Sequence, residues 1–411
     1  MKKTLLSFTL ALSAFQSCFA ASDVFKSLSL ADAKAAAKSQ NKVLLIDFMA
    51  SWCGPCHRME ADTWNNATVK KWVDENAVAI QLDVDKNTQE SSAFHILAMP
   101  SVVAFTPPEM EKEFDRQVGY LNSTDIMEWF EGIKKGEKAI DLLKHKVERF
   151  AGKGGEEEVK ARFKLAHSLS SIPDEKAAAL ENYVWLWQNI ATAMPAAQTE
   201  RVGSLAHQIT NLCRSYAPAK EKFEALRTSS LTDGKYFDFV ALNDILRDQK
   251  STLVWFDSIK TKPDEIAKLK EASVLLERTL VNADRWSDLF YLYPDPMAKL
   301  KEMDSLSQKV MDAMRSRGMK DVYDTFPKDA SLLYVAALAA HKDSDAKKIA
   351  AEALKLRQDS SSSSVLKKQL VVTALLAKQP RKDQRKWVMD DSQLLQKLDD
   401  ALKLPEKKKK S

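Results

Sequence analysis

Two cysteines separated by two residues, Cys53 and Cys56, are the feature of this sequence with the clearest chemistry. On a helix, positions three apart share one face, so the two sulfurs can reach each other. The thiolate is the reactive form of cysteine, and the unpaired N–H groups and dipole at a helix start favour that anion. We therefore expect Cys53 to be the exposed nucleophile of thiol–disulfide exchange and Cys56 to resolve the mixed disulfide.

The flanking residues suit this chemistry. Gly54 allows a substrate backbone to approach closely, and Pro55 fits an early helix position because its missing N–H is no loss there. A zinc site needs two further ligands, and neither Cys213 nor the six scattered histidines provides a cluster, so no metal is expected. A purely structural bridge would close too short a loop to stabilise the fold much. His57 either tunes a thiol or is a solvated first-turn residue.

The elements that must position this pair alternate between helix and strand, which predicts an α/β sheet. The predicted strands are Val43–Phe48, Val78–Val84, Met99–Phe105 and Phe114–Val118. The predicted helices are Ser29–Ser39, the stretch from Cys56 to Trp64, Val69–Glu75 and Thr124–Lys134, the last capped by Ser123 or Thr124.

The region 136–411 has a different pattern, with helices of 10–17 residues and short polar turns. Two stretches, Ala161–Ile190 and Ser331–Leu356, are loosely similar to tetratricopeptide-type repeats, which predicts an all-α, solenoid-like domain. The alternative is one compact helical bundle. Ser360–Ser364 is predicted to be a linker or loop, and Lys407–Lys410 a solvated tail.

The first twenty residues have the pattern of a secretory signal peptide. Lys2 and Lys3 precede an apolar run, and small residues precede a cleavage position after Ala20. The protein is therefore expected to be periplasmic or secreted, with no transmembrane segment after cleavage. The alternative is a lipoprotein acylated at Cys18, which the preceding Phe15-Gln16-Ser17 fits poorly.

Composition limits the remaining function classes. The 411 residues include 45% apolar and 29% charged residues, a balance typical of soluble globular proteins of two or three domains. The net charge of +5 is too small to indicate nucleic-acid binding. Three cysteines remain after signal removal, so Cys213 is either a buried apolar residue or a thiol for an intermolecular bridge.

The segment from Leu44 to Cys56, which contains Trp52 and the Cys-Gly-Pro-Cys motif, resembles the thioredoxin family together with Met99-Pro100 downstream. The resemblance covers residues 23–135 and implies a thioredoxin fold there. It also implies that Pro100 is a cis proline facing the cysteines and that the Met99 backbone binds an extended substrate. The alternative is an ordinary trans proline at a strand start.

Asp47 interrupts an apolar strand, so we expect it to be buried with a raised pKa. The resemblance implies that it assists proton transfer at Cys56, and the alternative is a merely tolerated buried acid. The family often pairs this Asp with a Lys on the next strand, where this chain has Gln81.

These observations predict an exported thiol–disulfide oxidoreductase without a cofactor, formed by a domain over 23–135 and a helical partner-binding domain over 136–411. The resemblance of Gly54-Pro55 to reducing thioredoxins favours the reductase or isomerase direction over an oxidase role. Its substrates would be proteins with thiols or disulfides, which contact Trp52, Gly54, Pro55, Met99 and Pro100. An external redox partner would supply electrons. The alternative is a helical scaffold or chaperone-like protein in which the first domain is secondary.

Overall fold

The computed structural model of the protein describes residues 23–195, 198–319 and 321–403. The predicted signal peptide over residues 1–20, its cleavage position, Cys18 and the Lys407–Lys410 tail all lie outside these residues. The chain divides after residue 197 into two compact units. Among the helices that the structure describes, none is both long enough and apolar enough to cross a membrane.

The first unit contains a four-stranded mixed sheet. Its strands are β1 (Val43–Met49), β2 (Ala77–Asp83), β3 (Ser101–Phe105) and β4 (Asp115–Val118). The order across the sheet is β2-β1-β3-β4, in which only the β1–β2 pair is parallel. Each strand lies within two residues of its predicted bounds, because each is a short apolar run or follows a turn.

Strand β1 lies inside the sheet and sends its side chains into two separate cores. Leu45 packs with Trp64 and Phe130 on one face of the sheet. Ile46 and Phe48 pack on the other face. Helices therefore cover both faces, as a parallel β1–β2 pair buried on both sides requires.

Helices of the first unit precede, connect and follow these strands. They are α1 (Leu30–Gln40), α2 (Gly54–Met59), α3 (Ala67–Asn76), α4 (Thr88–Ala93), α5 (Ser123–Lys135), α6 (Ala139–Phe150), α7 (Glu156–Ser170) and α8 (Lys176–Ala193), with a π-helical turn at Glu60–Trp64 and a 3₁₀ turn at Pro173–Glu175.

Two details of this unit differ from the sequence-based expectation. The N-cap of α5 is Asn122, not Ser123 or Thr124, because the Asn122 Oδ1 accepts hydrogen bonds from the backbone N–H groups of Thr124 and Asp125 at 2.9 Å. Helix α4 is not predicted from the sequence. None of its residues is buried, so no apolar period marks it.

Helix α6 belongs to the same unit as the sheet. The Asp115 carboxylate on β4 accepts hydrogen bonds from Trp129 Nε1 at 2.8 Å and from the Ala139 backbone N–H at 2.6 Å. Leu142 lies so close to Gly132 of α5 that a Cβ there would come within 2.8 Å of it. The four described strands all lie before residue 136, whereas the compact units divide after residue 197.

The described residues of the second unit form helices joined by turns and short connections, with no strand among them. Its helices are α9 (Gln198–Val202), α10 (Ser204–Ser215), α11 (Ala217–Thr232), α12 (Tyr236–Ile245), α13 (Gln249–Ile259), α14 (Ile266–Glu271), α15 (Ser273–Asn282), α16 (Leu289–Leu292), α17 (Pro296–Ser316), α18 (Phe326–Ala339), α19 (Asp343–Leu356), α20 (Ser360–Leu376) and α21 (Ser392–Lys403), with 3₁₀ turns at Pro263–Glu265, Trp286–Asp288 and Lys382–Trp387.

Helix α18 is the most deeply buried helix segment of this unit. Every residue from Ala330 to Leu338 is buried, and α18 packs against α17, α19 and α20. All three neighbours are close to α18 in the chain, a pattern that stacked helical repeats and a compact bundle share.

The serine run Ser360–Ser364 is helical, so its prediction as a linker or loop is wrong. It forms the first turn of α20, and the Asp359 carboxylate caps that turn by accepting a hydrogen bond of 2.8 Å from the Ser362 backbone N–H. First-turn N–H groups have no partner within the helix, so a capped turn tolerates residues of modest helix propensity.

Candidate functional site

The two cysteines of the motif lie at the start of α2, just after the short connection from β1. Cys53 is the N-cap of α2, with Gly54 and Pro55 as its first two residues. Cys53 and Cys56 form a disulfide with an S–S length of 2.07 Å and a Cα–Cα distance of 5.3 Å. The spacing of three residues thus brings the two sulfurs together, as the helical period requires.

The Cys53 sulfur lies against the N-terminus of α2. It accepts a hydrogen bond of 3.2 Å from the Cys56 backbone N–H. An N–H donor and the positive end of the helix both stabilise negative charge on this sulfur. When the disulfide is reduced, this environment favours the Cys53 thiolate.

The expectation that Cys53 is exposed is wrong for the disulfide form. Only 4% of Cys53 and 6% of Cys56 are exposed to solvent. The pair forms a small apolar cluster with Ala50, and Met99 and Val84 pack against this cluster. These covering residues come from distant parts of the chain, so the local sequence gives no indication of them.

An exposed rim surrounds the buried disulfide. The Trp52 side chain is 66% exposed, and its Nε1 donates a hydrogen bond of 2.8 Å to Asp85 Oδ2. Gly54 and Pro55 are also exposed, and no atom lies within 4 Å of where a Gly54 Cβ would be. A substrate chain can therefore approach the disulfide over Gly54.

Met99 and Pro100 lie beside the disulfide. The Met99–Pro100 peptide bond is cis, the geometry that the family resemblance implies, and not the alternative trans bond. Met99 packs against the cysteine cluster, and Pro100 is buried immediately before β3. Met99 is 43 residues beyond Cys56 in the chain, yet the fold brings it and the cysteine motif into one site.

Asp47 is buried in β1, as its place in an apolar strand predicts. It is 3% exposed, and burial in an apolar environment raises its pKa to about 7. Gln81 lies directly opposite on β2 and donates a hydrogen bond of 2.9 Å from Nε2 to Asp47 Oδ2, which partly offsets the effect of burial.

Glu60 is the site residue that the sequence reasoning missed. Gln81 Nε2 lies 3.4 Å from Glu60 Oε2 as well as against Asp47, and the negative charge of Glu60 further raises the Asp47 pKa. Glu60 begins the π-helical turn after α2, four residues beyond Cys56. That spacing places it on the cysteine-bearing side of the helix and is the feature by which it could have been found.

Two other candidates have different environments. His57 Nε2 lies 2.7 Å from the Ser51 backbone oxygen, so the ring is bonded to the protein and not simply solvated. Cys213 is a half-buried free thiol on α10, whose pKa burial raises to about 11. The described residues contain no group of His, Cys, Asp and Glu side chains that could hold a metal ion.

Comparisons with known proteins match the part of the chain that carries this site. The sequence model of the thioredoxin-like family matches residues 25–107. Thioredoxin from Mycoplasma genitalium is 31% identical over 94 residues, which cover 22% of this chain and 83% of that protein. The thiol:disulfide interchange protein DsbD from Pasteurella multocida is 24% identical over 101 residues, 24% of this chain.

The matched lengths differ greatly among these proteins. This chain spans only 17% of the length of the Pasteurella DsbD protein. Among solved structures, the thioredoxin from Thermus thermophilus is 17% identical, with a TM-score of 0.25, and the match covers 26% of this chain and 85% of that one.

Proposed function

The chain belongs to the thioredoxin-like family through its N-terminal domain, and from that premise we propose that it is an exported thiol–disulfide oxidoreductase working in the reductase or isomerase direction. One observation carries the proposal. The Cys53–Cys56 disulfide lies at the N-terminus of α2, where a helix end and a backbone N–H favour a thiolate on Cys53.

In the proposed reaction the reduced pair transfers two electrons to a substrate disulfide. The Cys53 thiolate attacks one substrate sulfur, so a Cys53–substrate bond forms while the substrate S–S bond breaks and its other sulfur leaves as a thiolate. The Cys56 thiolate then attacks the Cys53 sulfur. The Cys53–Cys56 bond forms, and the second substrate sulfur leaves as a thiolate. An external dithiol must reduce the pair before the next cycle.

Asp47 is proposed to move the proton of Cys56. A carboxyl group with a pKa of about 7 is protonated on about half of the molecules at neutral pH, so it can both accept and return a proton. The alternative of a merely tolerated buried acid predicts no effect of Asp47 on the exchange rate. The negative charge of Glu60 helps to keep the Asp47 pKa raised, and the hydrogen bond from Gln81 partly offsets this effect.

Two features support the direction and the location. The Gly54-Pro55 dipeptide between the cysteines is the one found in the reducing thioredoxins that this motif resembles. The first twenty residues have the pattern of an export signal, and reduction in an oxidising compartment needs an external source of electrons. We therefore propose periplasmic or secreted location and an external redox partner.

The helical region after residue 136 is proposed to bind a protein partner or substrate. It supplies most of the chain, whereas the site chemistry requires only the sheet domain. Binding by this region alone is the scaffold alternative, and it predicts a function that does not depend on Cys53.

The test measures reduction of insulin disulfides by the full chain with dithiothreitol as electron donor. The wild-type protein should accelerate the reduction, and Cys53→Ser should abolish the acceleration because no mixed disulfide can form. Cys213→Ser is the matched control and should retain the wild-type rate. A Cys53→Ser variant as active as the wild type would overturn the proposal and favour the scaffold alternative.

A further inference from the structure

Leu97 is an apolar side chain left almost entirely in solvent, in the loop that leads to Met99 and Pro100. It is 96% exposed. It lies two residues before Met99, which packs against the cysteine cluster. Two Cα–Cα steps span at most about 7 Å, so the Leu97 Cα lies within about 7 Å of the Met99 Cα.

The loop that presents Leu97 is fixed at both of its ends. On one side, the Phe94 ring lies 5.4 Å from Phe48 and 5.9 Å from Phe105, and the Phe94 carbonyl accepts a hydrogen bond of 3.0 Å from Arg116 Nη1. On the other side, Ser101 Oγ donates a hydrogen bond of 2.7 Å to the Ala98 carbonyl. The exposure of Leu97 is therefore built into a tethered loop.

The surroundings of Leu97 favour an apolar contact. The cysteine motif, residues 52–56, and the loop segment 96–100 contain no charged residue. Trp52, the other large apolar side chain of the rim, is 66% exposed. Any substrate sulfur that reacts with Cys53 brings the residues next to it over this rim, because the reacting sulfurs must come into bonding contact.

We propose that Leu97 is a specificity-determining residue that contacts an apolar side chain in the extended segment flanking the reactive cysteine of a protein substrate. This inference rests on the proposed function. Because the loop already holds Leu97 in place, substrate binding costs little conformational entropy there. The favourable free energy of burying the two apolar side chains is therefore retained. Leu97 thereby selects disulfides with apolar flanks over those with polar flanks.

The test compares two disulfide-linked peptides that differ only in the residues flanking the cysteine, leucine in one and serine in the other. Dithiothreitol is the electron donor, and kcat/KM is measured with the full chain. Leu97→Ser should lower kcat/KM for the leucine peptide about 10-fold and leave that for the serine peptide unchanged. Leu97→Met should retain the preference, because it keeps an apolar side chain.

Leu28→Ser is the matched control. Leu28 is 39% exposed and lines a cavity of about 400 Å³ with Ala77 and Val78, at the start of β2 and opposite the end of the sheet that carries the cysteines. It should change neither rate. Equal effects of Leu97→Ser on both peptides, or no effect on either, would overturn the role of Leu97. A wild-type protein that reduces neither peptide would overturn the proposed function itself, and with it this inference.

Discussion

Asp47 and Gln81 lie directly opposite each other on two parallel strands, and the Gln81 amide donates a hydrogen bond of 2.9 Å to the buried Asp47 carboxyl group. A neutral amide satisfies one oxygen but supplies no positive charge. Because burial opposes ionisation and no cation is bonded here to offset it, the Asp47 pKa rises to about 7. This relationship determines how the site and the stability of the domain respond to pH.

Stability should fall as pH rises from about 4 to about 7. In the unfolded chain Asp47 ionises near the ordinary aspartate pKa of 3.8, whereas in the folded protein it keeps its proton up to about pH 7. The folded state binds one more proton at Asp47 in this window, so the contribution of Asp47 to the free energy of unfolding decreases as pH rises, by about 4 kcal/mol. Urea unfolding of the oxidised protein at several pH values measures this change in the free energy of unfolding.

An Asp47→Asn variant provides the control for that pH dependence. It keeps a polar side chain of similar size but cannot ionise, so its stability should change less between pH 4 and pH 7 than that of the wild type. An identical pH profile in the two proteins would show that Asp47 does not carry the effect.

Removing the charge of Glu60 should make Asp47 more acidic. Glu60 contributes a negative charge that raises the Asp47 pKa, so Glu60→Gln should lower it. Carbon-detected NMR of the Asp47 carboxyl group reads the pKa directly. Glu75→Gln on α3 is the matched control, since Glu75 is exposed and pairs with Lys71. An unchanged Asp47 pKa in Glu60→Gln contradicts the account of this network.

The two kinds of thiol should differ in their reactivity toward iodoacetamide. In the reduced protein, Cys53 should react at a lower pH than a free thiol of pKa about 8.5, because the α2 N-terminus stabilises its thiolate. Cys213 should react last, because burial raises its pKa to about 11. Mass spectrometry of peptides alkylated between pH 5 and pH 10 gives the order, and faster labelling of Cys213 than of Cys53 is incompatible with this account.

Loss of the α20 cap should weaken the second unit. Asp359→Ala removes the carboxylate that accepts from the Ser362 N–H, at an expected cost of about 1 kcal/mol in unfolding free energy. Ser361→Ala in the same turn is the control and should have little effect, since Ser361 is exposed. If both variants are as stable as the wild type, the cap contributes nothing measurable.

Features set by local sequence were predicted well. The strand β1, the position of Cys53 at the start of α2 and the burial of Asp47 follow from an apolar run, a helix-compatible Gly-Pro pair and one carboxyl within that run. The cis bond before Pro100 was expected only from the family resemblance.

Contacts between distant segments do not follow from local sequence, and the position of Met99-Pro100 against the cysteines was expected only from the family resemblance. Glu60 meets Gln81 across the domain, and Met99 covers the cysteines from a loop more than 40 residues away. Neither contact leaves a periodic pattern in the sequence. The helical serine run after Asp359 is not evident from its composition, because a run of serines is typical of a linker and the helix start depends on one capping carboxylate.

The reduction potential of the Cys53–Cys56 pair tests the central claim most directly. It is measured by equilibrating the Cys213→Ser protein with thiol–disulfide buffers and counting alkylated cysteines. A value near the thioredoxin level of about −270 mV is the predicted result for a reductant. A value near about −120 mV, typical of a strong oxidant, would contradict the proposed direction of electron flow.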